Sequence, residues 1–455
     1  MKEKIIQELT GKSVLILGFG REGISTYRFI KNNNIDCKIG IADIKEITDE
    51  DVLNSSVTLH TGENYLDAMK NYDVIMKTPG QSFKDVDLTG IRDKVTSQTE
   101  LFLKYGKDKI IGITGTKGKS TTSSLIYAML KEKYNTLLVG NIGLPAFEEM
   151  ETYNTTDYYV YELSSHQLEF VDCSPHIAVL LNMYEDHLDH YKSYEEYKEA
   201  KRNIYKYQDK NDYYIYNEQE KGVLNGDRQL IQHHIGVGKE ETDNLESCCY
   251  SKEQVRINIH GDVITVREPK NENIHGAHNS YNIAVATTVA KLLNVEDEKI
   301  TKAIIEFKPL AHRLENIGIY DGVTYIDDSI ATIPEAVISA VESIDNINTV
   351  IIGGMDRGIH YEYLIEFLSQ GKVENVVLMY DSGKRIYEEL KKTGTNSNYV
   401  LAEDLEKAVE LATQITKKGT ICLMSPAAAS YGVFKNFEER GDKFKEYVIK
   451  YTNKE

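Results

Sequence analysis

The run Lys109–Leu125, KIIGITGTKGKSTTSSL, constrains this chain more than any other stretch. An apolar β-type segment, Ile110–Ile113, enters a turn of Gly115, Thr116, Lys117, Gly118, Lys119, Ser120 and Thr121, and a helix-compatible segment follows at once. That order sets the turn at a helix N-terminus, where unpaired backbone N–H groups and a partial positive charge receive phosphate. Lys119 is expected to reach the β- and γ-phosphates, and Ser120 or Thr121 to place Mg2+. The residue five before Gly118 is Ile113 and not glycine, so the fit is to the shorter form GTxGKST. The reading is an ATP site. A Gly/Lys/Ser-rich surface turn is the plainer alternative, and the flanking strand and helix disfavour it.

At 455 residues the chain has room for about three domains, and 41% hydrophobic content supplies several cores. A formal charge of −18 argues against nucleic acid or an anionic membrane surface as a partner. Any anionic ligand must therefore be gripped by local groups. The opening MKEKIIQELTGK has no apolar signal core, and no run approaches the roughly 18 apolar residues of a spanning helix. A soluble cytoplasmic protein without membrane insertion is expected. The five cysteines show no zinc spacing, and adjacent Cys248 and Cys249 suit free thiols in a reducing compartment.

Ahead of the phosphate turn, Ser13–Leu17 leads into Gly18-Phe19-Gly20-Arg21-Glu22-Gly23, and Asp43 follows a second strand, Lys38–Ala42. GxGxxG between strand and helix is by itself a dinucleotide-binding signal, open between NAD, another nucleotide and no ligand. Asp73–Met76 ends in Lys77-Thr78-Pro79-Gly80. Beyond the phosphate turn, β-type runs at Thr136–Val139, Tyr158–Leu163 and His176–Leu181 end in polar or glycine residues, an alternation that argues for a mostly parallel sheet. Lys210–Arg267 reads as an antiparallel edge hairpin pair. Strands at Thr324–Ile326, Asn348–Ile352, Asn375–Met379 and Thr420–Met424 form a further doubly wound unit. The expected fold is α/β in three domains: a Rossmann-like domain over 1–98, a central P-loop ATPase domain with a mostly parallel sheet over 99–307, and a C-terminal Rossmann-like domain over 308–455.

Glu162 and His187 fall at strand ends beside the phosphate turn and offer a carboxylate and an imidazole to a divalent metal. Lys201, in the helical run Tyr194–Tyr207, reads on its own as a solvated face residue. Asn279 and Asn282 in HNSYN either cap a helix or offer amides to an adenine edge. In the last third, DSIAT (Asp328–Thr332), GGMDRG (Gly353–Gly358) and SPAAAS (Ser425–Ser430) fall at strand ends, and PLAHRLE places Arg313 at the junction before them.

From end to end, GFGREG, GITGTKGKSTT, GNIG, YELSSHQLE, NMYEDHLDHY, EAKRNIY, HNSYN, AHRLE, DSIAT, GGMDRG and SPAAAS with FKNFEERGDKF resemble the Mur ligases, the ATP-dependent amide-bond ligases of peptidoglycan synthesis. The FGREG start and the SPAAAS…NFEERG end are most similar to the member that adds glutamate to UDP-N-acetylmuramoyl-L-alanine. The resemblance implies that Gly18, Phe19, Gly20, Arg21 and Asp43 hold UDP and not NAD. It implies that Gly115–Thr121 hold ATP, that Ser120, Thr121, Glu162 and His187 bind metal, and that a carbamylated Lys201 helps hold a second Mg2+. Lys119, His187 and Lys201 form the implied catalytic set. Asn141 and Ser164 are implied along the muramoyl-peptide path, Asn279 and Asn282 at adenine, Arg313 near the phosphates and Asp328 near the nucleotide. Thr332, Arg357, Ser430 and Phe437 are implied in the glutamate pocket. Ile330 stands where the family pattern DSKAT has lysine, which bears on that pocket and on the stereochemistry, D-glutamate being expected. The implied partners are UDP-N-acetylmuramoyl-L-alanine and glutamate, with the chain acting as a monomer. A folylpolyglutamate synthase shares the ATP core, but the segment ahead of the phosphate turn disfavours it. An NAD-dependent dehydrogenase would leave that turn idle, and a non-catalytic relative would not need Lys119, Glu162, His187 and Lys201 together.

Overall fold

A computed structural model describes residues 1–141, 145–148, 150, 154–184, 190–218, 230–240, 246–251, 254–259, 261–267, 277–308, 311–332, 334–356, 361–393, 397–430 and 432–453. Among these residues three β-sheets form. The first contains β1 (Ser13–Leu17), β2 (Lys38–Asp43), β3 (Thr58–Thr61), β4 (Val74–Lys77) and β5 (Val95–Thr96) in the order β3-β2-β1-β4-β5, every pairing parallel. The apolar run SVLIL of β1 is buried from Val14 to Leu17, as a central parallel strand covered on both faces requires. The strand order reverses at β1, so the turn after it opens into the crevice where ligands bind in such sheets.

The second sheet contains β6 (Ile110–Thr114), β7 (Thr136–Gly140), β8 (Tyr158–Glu162), β9 (Ile177–Leu180), β10 (Tyr213–Asn217), β11 (His233–Gly238), β12 (Ser247–Tyr250), β13 (Gln254–Ile259) and β14 (Asp262–Arg267). Their order is β14-β13-β12-β11-β10-β9-β6-β8-β7. From β7 to β12 all pairings are parallel; only β12–β13 and β13–β14 are antiparallel. The expected hairpin pair over 210–267 is thus corrected in extent. The antiparallel pairings β12–β13 and β13–β14 do lie at one edge, whereas β10 and β11 continue the parallel sheet beside β9. The buried aromatic run Tyr214-Ile215-Tyr216 suits a covered strand better than an exposed edge hairpin.

The third sheet contains β15 (Glu315–Tyr320), β16 (Val323–Asp327), β17 (Ile347–Ile352), β18 (Asn375–Met379), β19 (Asn398–Ala402) and β20 (Ile421–Met424), ordered β15-β16-β20-β17-β18-β19 and parallel except for β15–β16. The fold is α/β with parallel-dominated sheets throughout.

The chain divides into two compact units, one of residues 1–270 with 277–306, the other of 307–455 with 271–276. The first unit holds two sheets because they share one core. Phe29 packs on Phe147 with ring centroids 4.6 Å apart, and Phe102 sets its ring edge-on to Tyr159 and Tyr161 at 5.0 and 5.7 Å. In the second unit, the last sheet is covered on both faces: Val350, Leu378 and Leu423 pack in one apolar cluster, and Ile351, Val377 and Met424 in the other. Among the described residues no helix is long and apolar enough to cross a membrane.

Candidate active site

The phosphate turn leaves β6 between β9 and β8, so three strand ends converge on it. Gly118 is the N-cap of helix Lys119–Leu130 at φ +84°, a left-handed conformation that glycine adopts without strain, and a Cβ there would lie 2.9 Å from Asn282 Oδ1. Lys119 curls over the turn, its Nζ donating to the carbonyls of Gly115 and Thr116 at 2.8 and 3.0 Å. Ser120 is buried at the start of the helix, Thr121 is half-buried, and Lys117 is exposed. Asn182, at the end of β9, clamps the turn: its Oδ1 accepts from the N–H groups of Thr116 (3.0 Å) and Lys117 (2.8 Å), and its Nδ2 donates to Lys117 O at 3.0 Å. Asn282 touches the opposite side, accepting from Thr122 Oγ1 at 3.2 Å and donating to Asn279 Oδ1 at 3.1 Å.

Lys201 is not solvated. It lies on the buried stripe Tyr197, Ala200, Lys201, Ile204 of helix Tyr194–Lys206, donates to Gly115 O at 2.9 Å and sits 4.8 Å from the centroid of the Tyr197 ring. Tyr197 in turn shares a 2.7 Å hydrogen bond with Thr116 Oγ1. Glu162, at the end of β8, is 0% exposed; its Oε1 accepts from Asn141 Nδ2 at 2.9 Å, while its Oε2 is buried with no hydrogen-bond partner among the described residues. An ionised carboxylate oxygen in that condition is costly unless a cation reaches it. The donor set therefore fits a divalent metal. His187 lies outside the described residues.

A cavity of about 760 Å3 lies in the same unit. Its walls carry Gly18, Phe19, Gly20, Arg21 and Asp43 from the first sheet and Asn141 and Ser164 from the second, so these seven sequence candidates share one space. Gly18 has φ +90°, and a Cβ there would collide with Thr78 Oγ1 at 2.1 Å, so the turn closes only with glycine. Asp43 shapes that turn: Oδ2 accepts from Phe19 N–H at 2.7 Å and Oδ1 from Lys45 N–H at 2.9 Å. Ser164 caps the short helix Ser165–Leu168 in a reciprocal box with Gln167. Glu22 also lines the cavity, and burial pushes its carboxyl up to about 7 against the opposing charges of Lys77 and Arg21. Lys77, itself buried, pairs with Glu169 at 3.2 Å, and Glu169 meets His190 Nε2 at 3.1 Å.

In the second unit the strand ends gather a buried charged cluster. His312, at φ +64°, sets Nδ1 2.7 Å from Asp327 Oδ2. Burial works against its imidazolium, but the hydrogen bond and charge of Asp327 outweigh that and hold the His312 pKa above its ordinary value. Asp328 accepts from Ser425 Oγ at 2.8 Å and from Leu314 N–H at 3.3 Å, and burial pushes its carboxyl up to about 7. Arg313 is half-buried, and its charge favours ionised Asp328. Ser430 is buried; Thr332 and Phe437 are half-buried, the Phe437 ring 6.3 Å from that of His312. Arg357 lies outside the described residues. Sequence reading missed Asn182, Lys77, Glu169 and Arg440. Asn182 opens the quoted NMYEDH segment at a strand end, which was the available signal for it.

Residues 12–97 match the model of the Mur ligase MurD-like N-terminal domain, 113–290 that of the Mur ligase middle domain and 312–428 that of the Mur ligase glutamate ligase domain. The chain is 33% identical over 457 residues to the UDP-N-acetylmuramoylalanine--D-glutamate ligase of Clostridium acetobutylicum, covering 98% of each chain. It is 32% identical over 455 residues to the ligase of the same name from Clostridium perfringens, covering 97% of each. The chain belongs to the Mur ligase family. Its fold matches the crystal structures of two Mur ligases from Thermotoga maritima. For the UDP-N-acetylmuramate-alanine ligase MurC the TM-score is 0.55 at 20% identity, covering 96% of this chain and 99% of that one. For MurF in complex with ADP it is 0.57 at 18% identity, covering 98% and 97%. As a Mur ligase the chain is an ATP-dependent enzyme that forms an amide bond in peptidoglycan synthesis.

Proposed function

We propose that this Mur ligase joins D-glutamate to UDP-N-acetylmuramoyl-L-alanine, using ATP to convert the alanyl carboxylate into an acyl phosphate that the glutamate amine attacks. The observation that carries the reading is the link from the cavity to the phosphate turn: Asn141 lines the cavity and holds Glu162, whose second oxygen is buried without a partner. A nucleotide-linked substrate seated on Gly18–Arg21 would thereby extend toward the strand ends that carry the phosphate chemistry. The proposed division of labour is a UDP domain over 1–98, an ATP domain over 99–307 and an amino-acid domain over 308–455.

Lys119 would neutralise charge on the transferring phosphoryl group, turning from the carbonyls of Gly115 and Thr116 toward phosphate. Gly115–Thr121 are assigned to the phosphates, with N–H groups supplied from the helix start at Lys119–Thr121 while Asn182 holds those of Thr116 and Lys117, and Asn279 and Asn282 meet adenine. Arg313 and Asp328 are assigned to the nucleotide, and Thr332, Arg357, Ser430 and Phe437 to glutamate. Ser120, Thr121, Glu162, His187 and a carbamylated Lys201 would hold two Mg2+ ions, which when bound offset phosphate charge. Carbamylation would turn a buried cation into a carboxylate-like ligand. The enzyme is proposed to act as a cytoplasmic monomer without nucleic-acid partners.

Phosphate release with UDP-N-acetylmuramoyl-L-alanine, ATP and each glutamate enantiomer tests this reading. Turnover with D-glutamate and not with L-glutamate is expected. Turnover with the L form alone would overturn the stereochemical assignment. Equal turnover with alanine or lysine would overturn the pocket, because a site built to pair two carboxylates rejects acceptors that leave a cation unpaired.

A further inference from the structure

We propose that Arg440 is the positioning residue that sets the shape of the glutamate pocket; the proposal rests on the assignment of Thr332, Arg357, Ser430 and Phe437 to that pocket. Arg440 is 0% exposed, four residues into the helical end of the SPAAAS…FEERG segment. Its guanidinium serves two separate loops. Nη2 donates to Ser329 O at 2.7 Å and Nε to Ser329 Oγ at 3.0 Å, while Nη1 donates to Ala428 O at 2.9 Å. Ser329 lies three residues before Thr332, and Ala428 two before Ser430. The Ser329 hydroxyl passes the link on, donating to Phe437 O at 2.8 Å.

A third loop leans on the same group. A Cβ at Gly354 would lie 3.0 Å from Arg440 Nη1, and the next residue, Met355, donates from its N–H to Ala429 O at 2.9 Å. That loop runs on to Arg357. The backbone before Thr332 and before Ser430 is therefore tied to one guanidinium, Phe437 is joined to it through the Ser329 hydroxyl, and Gly354 packs against it.

A buried charge is a poor way to gain stability, since well-packed apolar residues of similar volume serve at least as well. What a guanidinium supplies that they cannot is several N–H donors in a rigid planar fork, able to fix two carbonyls and a hydroxyl in set directions. The cation is held by these neutral acceptors and by the charges of Asp327 and Asp328 close by. Lysine at this position would keep the charge and lose the fork.

The test measures steady-state KM values for glutamate and for the uridine-linked substrate in Ser329→Ala, Arg440→Lys and Arg357→Ala, with a thermal melt of each full-length variant. Arg357→Ala reports on the pocket assignment itself. Arg440→Lys is expected to raise the glutamate KM at least roughly tenfold and Ser329→Ala roughly threefold, the range lost with one or two buried hydrogen bonds. The KM for the uridine-linked substrate stays within about twofold, because its cavity belongs to the other unit. If Arg357→Ala raises the glutamate KM while the other two variants leave it unchanged, or raise both KM values alike, Arg440 is not a positioning residue and the pocket stands. If Arg357→Ala itself leaves the glutamate KM unchanged, the pocket assignment fails and takes this proposal with it. Should Arg440→Lys lose its cooperative melt, Ser329→Ala decides alone, since it deletes one hydroxyl and no charge.

Discussion

Asp328 is the residue at which the electrostatics of this chain are most exposed to experiment. Burial raises its carboxyl from the ordinary 3.8 to about 7, against the hydrogen bond from Ser425 and the charge of Arg313. Between those two values the folded state holds a proton that the unfolded chain has released, so this residue's contribution is full below about pH 4 and is lost as pH rises through about 7. Asp328→Asn removes the titration while keeping an oxygen for the Ser425 hydroxyl. Relative to wild type, the variant is expected to gain on the order of 1 kcal/mol or more of unfolding free energy between pH 5 and pH 8, read from denaturant midpoints. A difference that stays constant across that range would mean that Asp328 titrates at its ordinary value. At this scale the sequence was readable where chemistry dictates a residue type, as with Lys119 in a phosphate turn. Lys201 was half readable: its spacing from Tyr197 and Ile204 marks the buried stripe, although lysine alone reads as solvated. Arg440 was not readable, because its partners are 12 and 111 residues away in the chain.

The elements that hold the site are strand ends, and the hinge of their arrangement is the clamp that the β9 end places on the phosphate turn. The Asn182 side chain joins the N–H groups of Thr116 and Lys117 to the carbonyl of Lys117, and its backbone carbonyl also accepts from Thr116 N–H at 3.0 Å. Asn182→Ala removes the side-chain bonds to Lys117 N–H and carbonyl and is expected to raise the ATP KM roughly tenfold, with little change in the glutamate KM. Asn182→Asp keeps the acceptor, loses the donor and sets an anion beside the phosphate site, so it should be worse than alanine for ATP. An aspartate variant that binds nucleotide as well as wild type, by titration calorimetry, would remove the clamp from the mechanism. The parallel strands around this site were legible because fully covered strands such as IIGIT and SVLIL are continuous apolar runs bounded by polar turns. The partly exposed strands β3 and β19 lack that signal, since only one of their nine residues, Ala402, is buried. Strands β10 and β11 were misassigned for another reason: a tyrosine-rich or histidine-containing run says that a strand is present and not which neighbour it pairs with.

For the whole molecule, the two compact units carry separate apolar clusters, so ligand binding should stabilise them separately. The cavity that gathers Gly18–Arg21, Asp43, Asn141 and Ser164 is walled entirely by the first unit. A ligand that binds only the folded form stabilises it by RT ln(1 + [L]/Kd), about 2.7 kcal/mol at a hundredfold excess over Kd. In scanning calorimetry of the full chain, UDP is therefore expected to raise the transition of the first unit and leave that of the second in place. NAD+ at the same concentration should move neither, although GxGxxG taken alone allows either nucleotide. A larger shift with NAD+ than with UDP would overturn the uridine assignment and with it the use of this cavity for a UDP-linked substrate. A single transition that UDP moves as a whole would keep the assignment and show instead that the two units unfold as one.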